Sequence, residues 1–327
     1  MPFWKKETPE ELERKALAAR QEADREASLL SLREGSIPVA ASRRLNQLAA
    51  LNGKFFSSTL SPAEYLLARQ SGLQPLSQVV GTVFMHVRYE EGDGLHSNFS
   101  GDLTYLTVTK TNAQALAVDR MRQEAKVLGA HGIIGVTLQS SRYSWSEDFA
   151  QFTVRGTAVR LPDSEMLRQA KNLPFTSTLS GQEFWQLYES GYWPCGLVIG
   201  NAIYVAANPW SNLETIAAMN GQSFGYNRNV ELLTISNGIR FATQTAMNSL
   251  KREIEVVGGD GAVDMDVDYT LERVHGADDS AIIDLTAVGT AVAYRLDGQA
   301  KPLGNRLLIM DLARKTNESI KVPTANE

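Results

Sequence analysis

Soft metal ligands and disulfide partners are nearly missing from this sequence: one cysteine, Cys195, and four histidines, His86, His96, His131 and His275, in 327 residues. A single thiol forms no intramolecular disulfide, and histidines without ligand spacing exclude a structural zinc site built from Cys and His. Positive charge is not in excess either, since 32 Lys and Arg face 37 Asp and Glu. A net charge of −5 and a pI of 5.6 give no field to hold a phosphate backbone, so nucleic acid is not the expected partner. The longest apolar stretch, around Gly196 to Ala207, falls short of the ~20 residues a transmembrane helix needs. The start, Met1 to Glu7, runs into charged residues without the apolar core of a signal peptide, which leads to the expectation of a cytoplasmic protein.

Reaction signatures are absent too. There is no Gly-x-Ser-x-Gly elbow, no phosphate-binding Gly-x-x-x-x-Gly-Lys-Ser/Thr and no His-Glu-x-x-His. The glycine-rich run Val257 to Gly261 ends a predicted helix instead of opening one, so its dipole points the wrong way for a phosphate. The expectation is a protein that is not an enzyme, with no catalytic and no cofactor-binding residue.

What the sequence does contain is an internal repeat. Phe56-Ser57-Ser58-Thr59-Leu60-Ser61 returns as Phe175-Thr176-Ser177-Thr178-Leu179-Ser180, and between Phe56 and Gly81 11 of 26 positions are identical to the later copy. Glu124 to Gly132 matches Glu253 to Gly261, and Gly156-Thr157-Ala158-Val159 matches Gly289-Thr290-Ala291-Val292. Three blocks in one order identify a tandem duplication. Each copy opens with a capping box, Ser61 with Glu64 and Ser180 with Glu183, and its short helix stops at Gly72 or Gly191. An apolar strand follows, Gln78 to Val87 or Leu197 to Ala206. A long helix comes next, Thr111 to Leu128 or Phe241 to Val257, ending on Gly129 or Gly258. Two last strands are Ile133 to Gln139 and Phe152 to Arg160, repeated as Ala262 to Tyr269 and Ala281 to Tyr294. The fold class is α+β, two homologous modules of strands packed on a central helix.

The combination Glu124-Ala125-x-x-Leu128-Gly129-Ala130-x-Gly132-Ile133-Ile134-Gly135-Val136 with Gly156-Thr157-Ala158-Val159 resembles the YbjQ-like family, which carries a heavy-metal-binding description. The second copy departs from it at Gly259 and Asp264. The resemblance implies small α+β domains that assemble into rings, commonly pentameric, with tandem copies in actinobacterial proteins, and so a non-enzymatic scaffold that binds copies of itself. The expected division is a helical segment at 1–54, a first module at 55–162, a second at 163–297, and a docking segment with a mobile tail at 298–327.

The flanks and one strand carry the remaining candidates. Thr8 to Glu34 reads as one charged helix with a narrow stripe of Leu12, Ala16, Ala19, Ala23 and Leu30, suited to docking a protein partner or resting on its own domain. Trp4-Lys5-Lys6 is the one feature that favours a membrane surface. Asn305 to Ala313 carries an apolar run for a neighbour. In the second copy, Asp264, Asp266 and Asp268 alternate along a predicted strand, which would align three carboxylates on one face, with Met265 and Val267 turned to the core. Such a row is either a solvated face or a site for a hard divalent cation, the alternative function considered. Cys195 reads as a packing position, and His131 and Asp260 as equivalent turn residues.

Overall fold

A computed structural model describes residues 9–51, 56–70, 72–86, 100–143, 146–162, 174–207, 231–273 and 280–294. Trp4-Lys5-Lys6, His96, His275 and the Asn305 to Ala313 run lie outside these residues. The amino-terminal helix α1 (Pro9–Arg33) is followed by α2 (Val39–Ala50) and the short α3 (Pro62–Gln70). Strands β1 (Gln74–His86) and β2 (Gly101–Asp102) lead to the long helix α4 (Thr104–Val127), then β3 (Gly132–Tyr143) and β4 (Ser146–Arg160). The second copy repeats the plan as β5 (Phe175–Thr176), α5 (Gly181–Glu189), β6 (Tyr192–Ala206), α6 (Leu233–Val257), β7 (Gly261–Arg273) and β8 (Ala281–Tyr294).

The α+β class and the tandem plan are as the sequence predicts. Both capping boxes form: the Ser61 amide donates to Glu64 at 2.7 Å and the Glu64 amide to Ser61 Oγ at 3.3 Å, with 2.8 and 3.4 Å at Ser180 and Glu183. The terminal glycines 72, 191, 129 and 258 all hold positive φ. The long helices start well before Thr111 and Phe241, where propensity places them. Their first turns carry no side-chain cap and are fixed instead by packing, as where Leu103 and Leu106 are buried against Ile203. Helix α2 carries no sequence signature; it is held by a fully buried Leu45 and by Arg44, whose guanidinium lies 3.0 Å from Glu124.

Two four-stranded sheets result, in the orders β1-β4-β3-β5 and β2-β6-β8-β7. The strands pair antiparallel except β5, which runs parallel to β3. Thus each sheet borrows its fourth strand from the other copy: β5 joins the first sheet, and β2 the second. Helix α4 lies on β1 and β4, and α6 on β6 and β8, through alanine-rich faces such as Ala117, Met121 and Ala125 or Ala242, Ala246 and Leu250, all buried. The approach is close enough to require glycine on the strand: a Cβ at Gly81 would stand 1.8 Å from the Ala117 carbonyl oxygen, and one at Gly200 2.2 Å from that of Ala246. These are equivalent positions of the repeat, so one steric rule sets both helix–sheet contacts.

Glu124 ties three elements together, accepting from the Val80 amide at 2.9 Å and from Arg44. Burial pushes its carboxyl pKa up from the ordinary value of 4.5, against the opposing effects of that amide and of Arg44. A carboxyl whose pKa is raised by folding contributes stability that is present below the unfolded value and lost as pH rises through the folded one. Two outcomes follow. Gly81→Ala is expected to cost more than about 4 kcal/mol in chemical denaturation, since a backbone oxygen cannot give way. In thermal melts at increasing pH from 4.5 upward, the stability of Glu124→Gln relative to wild type is expected to improve.

Candidate assembly interface

The segment Phe175 to Leu179 lies along the outer edge of β3 and belongs to both modules at once. The Phe175 amide donates to the His131 carbonyl at 3.2 Å and the Ser177 amide to that of Ile133 at 2.9 Å; in return Gly135 donates to Leu179 at 2.8 Å and Val136 to Ser177 at 3.0 Å. Strand β3 bends at this point: its pairing with β4 slips between Ile134 and Thr137, and Gly135 has φ +61°. The bulge aims the amides of Gly135 and Val136 at the visiting segment, a conformation that glycine adopts without strain. On its other side the segment is hooked to its own module. The hydroxyl of Thr290, completely buried, accepts the Thr178 amide at 2.8 Å and bonds the hydroxyls of Ser177 and Thr178 at 3.2 and 2.8 Å. Thr157 does the same for the Thr59 amide and the hydroxyls of Ser58 and Thr59 in the first module, at 2.9 to 3.1 Å.

Apolar burial adds to these bonds. The Phe175 ring, 2% exposed, covers Gly132 so closely that a Cβ there would meet it at 2.2 Å. It stacks on Phe184 and meets Trp193 edge-on, at centroid distances of 5.6 and 5.3 Å. The short helices touch where a Cβ on Gly181 would lie 2.5 Å from that of Ala68.

The reverse loan runs through α4. Gly101 and Asp102 pair with Val205 and Tyr204, the Leu103 amide donates to Ile203 at 2.7 Å, and Thr107 Oγ1 accepts the Ile203 amide at 3.0 Å. Deeper along the helix the seam is polar. Lys110, 8% exposed, donates to Asp284 and, at 2.6 Å, to Thr286. Asn201 Nδ2 donates to Gln114 Oε1 at 2.6 Å and to Thr111 Oγ1 at 3.1 Å, while Thr286 donates to Asn201 Oδ1 at 3.2 Å. Beside Lys110, between the sheets, opens a cavity of 330 Å³ whose wall includes Phe152, Asp266, Asp268, Glu272 and Asp284.

The acidic strand differs from its expected geometry. Val263 pairs with Thr290 but Asp266 with Val288, so β7 carries an extra residue at 264–265, and Asp264 has φ +52°. The bulge breaks the alternation: Asp266 and Asp268 face the cavity, Asp264 sits on the bulge, and Val267 is 46% exposed instead of turned to the core. Met265 alone of the expected apolar pair packs inward, against Gly289. Among the described residues no group of three or more His, Cys, Asp or Glu side chains is gathered to hold a metal ion. The stripe expected to dock a partner lies along α1, where Ala16, Ala19, Ala23 and Leu30 are exposed. The helix is joined to α2 by Arg43, bidentate on Asp24 at 2.9 and 3.0 Å. Leu12 falls within α1.

Cys195 is half-buried, packed with Val198 and Leu250. His131 and Asp260 share one turn role, His131 Nδ1 accepting the Leu161 amide at 3.2 Å and Asp260 accepting the Tyr294 amide at 2.9 Å. Burial, then the nearby Arg160, lowers the His131 pKa. The residues that sequence reading passes over are Lys110, Asn201, Asp284 and Thr286; the first three do not recur, their counterparts being Ile239, Thr82 and Gln151, while Thr286 corresponds to Thr153 outside the repeated blocks. Thr157 and Thr290 stand in a repeated block, and that repetition is the signal for their role.

Residues 74–162 match the family described as "Putative heavy-metal-binding", YbjQ. The encapsulin nanocompartment protein Rv1762c of Mycobacterium tuberculosis is 30% identical over 239 residues, 71% of this chain and 83% of that protein. The chain belongs to the YbjQ-like family. UPF0145 proteins of Halorubrum lacusprofundi and Helicobacter hepaticus are 41% and 31% identical, over 21% and 33% of this chain and 64% and 97% of their own lengths. The YbjQ-like match runs from the start of β1 past the end of β4, and so takes in α4, the bulged β3 edge and Thr157.

Two expectations test the seam. Removing the buried Thr290 hydroxyl in Thr290→Val strands the Thr178 amide and is expected to cost about 1–3 kcal/mol in urea unfolding. Lys110→Met leaves Asp284 without its cation and is expected to cost about 3–5 kcal/mol, most of which Lys110→Met with Asp284→Leu restores.

Proposed function

We propose that this protein is a non-enzymatic scaffold that assembles with copies of itself, as a closed ring of modules. The observation that carries the reading is the exchange of strands between the sheets: each module lends a segment to its neighbour, so the unit is built to be bordered on two sides. The name of the Mycobacterium relative, an encapsulin nanocompartment protein, supports a role in assembly over a reaction. Helix α1, with its exposed stripe, is the element offered to a protein partner. No helix among the described residues is long and apolar enough to cross a membrane.

A second reading is favoured by one feature, the carboxylates of Asp266 and Asp268 on the wall of the cavity between the modules. It makes the protein a divalent-cation binder, with Asp264 on the adjoining bulge. Native mass spectrometry of the untagged chain separates the readings. A discrete multi-chain mass without metal supports the scaffold, whereas a single-chain mass at micromolar concentration overturns it. One divalent ion per chain, lost in the triple variant Asp264→Asn, Asp266→Asn, Asp268→Asn, supports the second reading.

A further inference from the structure

The contact inside the chain has two halves, and each module holds the counterpart of the half it does not use there. The first module supplies the bulged β3 edge and α4; the second supplies the segment Phe175 to Leu179 and the outer face of β6. The second module also has a bulged edge strand, β7, and the first also has a segment, Phe56 to Leu60.

We propose that the internal contact is repeated between chains: Phe56 to Leu60 of one copy adds, parallel, to the β7 edge of a second copy, with the Phe56 ring over Gly261. This rests on the self-assembly reading above and names its interface.

Five features of the molecule fit that occupant. Among the described residues strand β7 ends its sheet, whereas its equivalent β3 carries β5 beyond it. Gly261, the counterpart of Gly132, has no described atom within 4 Å of where a Cβ would stand, while a Cβ on Gly132 would meet the Phe175 ring at 2.2 Å. Phe56 is 50% exposed where Phe175 is 2% exposed, yet it is already oriented by stacking on Tyr65 at 4.7 Å, as Phe175 is on Phe184. Asp264 keeps the backbone of its counterpart Gly135, φ +52° against +61°, although a side chain makes that conformation costly. That bulge presents the amides of Asp264 and Met265 to the carbonyls of Leu60 and Ser58 as Gly135 and Val136 present theirs to Leu179 and Ser177. Thr157 holds the donor segment by the same hydroxyl cluster that Thr290 uses.

The two contacts differ in chemistry. Lys110 and Asp284 of the internal seam correspond to Ile239 and Gln151, so the contact between chains carries no such ion pair. Gly181 and Ala68, which touch inside the chain, correspond to Pro62 and Leu187, so the short helices stand farther apart between chains. Donor and acceptor surfaces are distinct, which makes the interface head-to-tail, the type that closes rings.

Gly261→Leu places a side chain in open space of the single chain and blocks the site for the Phe56 ring; Phe56→Ser removes that ring from the donor. Each is expected to weaken chain–chain association by roughly thirtyfold or more, the loss of a central aromatic anchor, with a melting profile like wild type. Mixed together, the two variants retain one intact pair of surfaces, the donor of the first with the acceptor of the second. They are expected to give a two-chain complex that grows no further, read by native mass spectrometry. Full-size assemblies from both variants would overturn the interface while leaving self-assembly standing; a monomeric wild type would overturn both. Should Gly261→Leu fail to fold, Phe56→Ser mixed with wild type still decides, because chains without a donor segment cap the assembly at reduced size if the proposal holds and leave it unchanged if it does not.

Discussion

The edge of a β-sheet is a row of backbone donors and acceptors that something must satisfy, and in this protein that constraint organises everything else. Strand β3 cannot end its sheet in comfort because its bulge turns two amides outward. The segment that answers them comes from the neighbouring module and is held stiff by a threonine of its own core. A hydroxyl buried in one sheet therefore controls how the next one is bordered. The same logic explains why the third repeated block contains threonine at all: Thr157 and Thr290 would pack as well as valine, but only a hydroxyl can grip the passing backbone.

Duplication allows the two uses of one surface to diverge. The internal seam carries buried polar groups, Lys110 with Asp284 and Asn201 with Gln114, where the other register has Ile239 with Gln151 and Thr82 with Thr243. Groups of this kind contribute little net stability but penalise mismatched partners, because each would be left unpaired in the wrong contact. In the proposed contact between chains their place would be taken by Ile239, Gln151, Thr82 and Thr243, beside an aromatic ring and a strand edge.

Much of this is legible in the amino-acid sequence alone. The capping boxes, the glycine stops and the repeated blocks depend on neighbours close in sequence, and each appears where its residues place it. What was hidden depends on residues far apart. Helix α2 and the first turns of α4 and α6 exist because of packing against other elements, which local propensity does not encode. The acidic strand is the instructive case. Asp264, Asp266 and Asp268 follow a strict alternation in sequence, and the bulge at Asp264 undoes it by one residue. Its counterpart Gly135 was the available clue, a glycine in mid-strand where a bulge is the common reason. The seam lysine left no trace because a single Lys on an amphipathic helix reads as solvated until its partner across 174 residues is known.

The covalent link between the modules has an arithmetical consequence. A ring can hold only whole chains, and every chain brings a pair of modules, so the number of modules around it is even. In a ring of such chains, a count of five modules, which family resemblance implies for single modules, would be excluded. Among the described residues the helical arm of α1 and α2 is held to the first module by Arg44 on Glu124. It would recur at every second position, and the rotational symmetry a partner meets would be half that of the sheets beneath it.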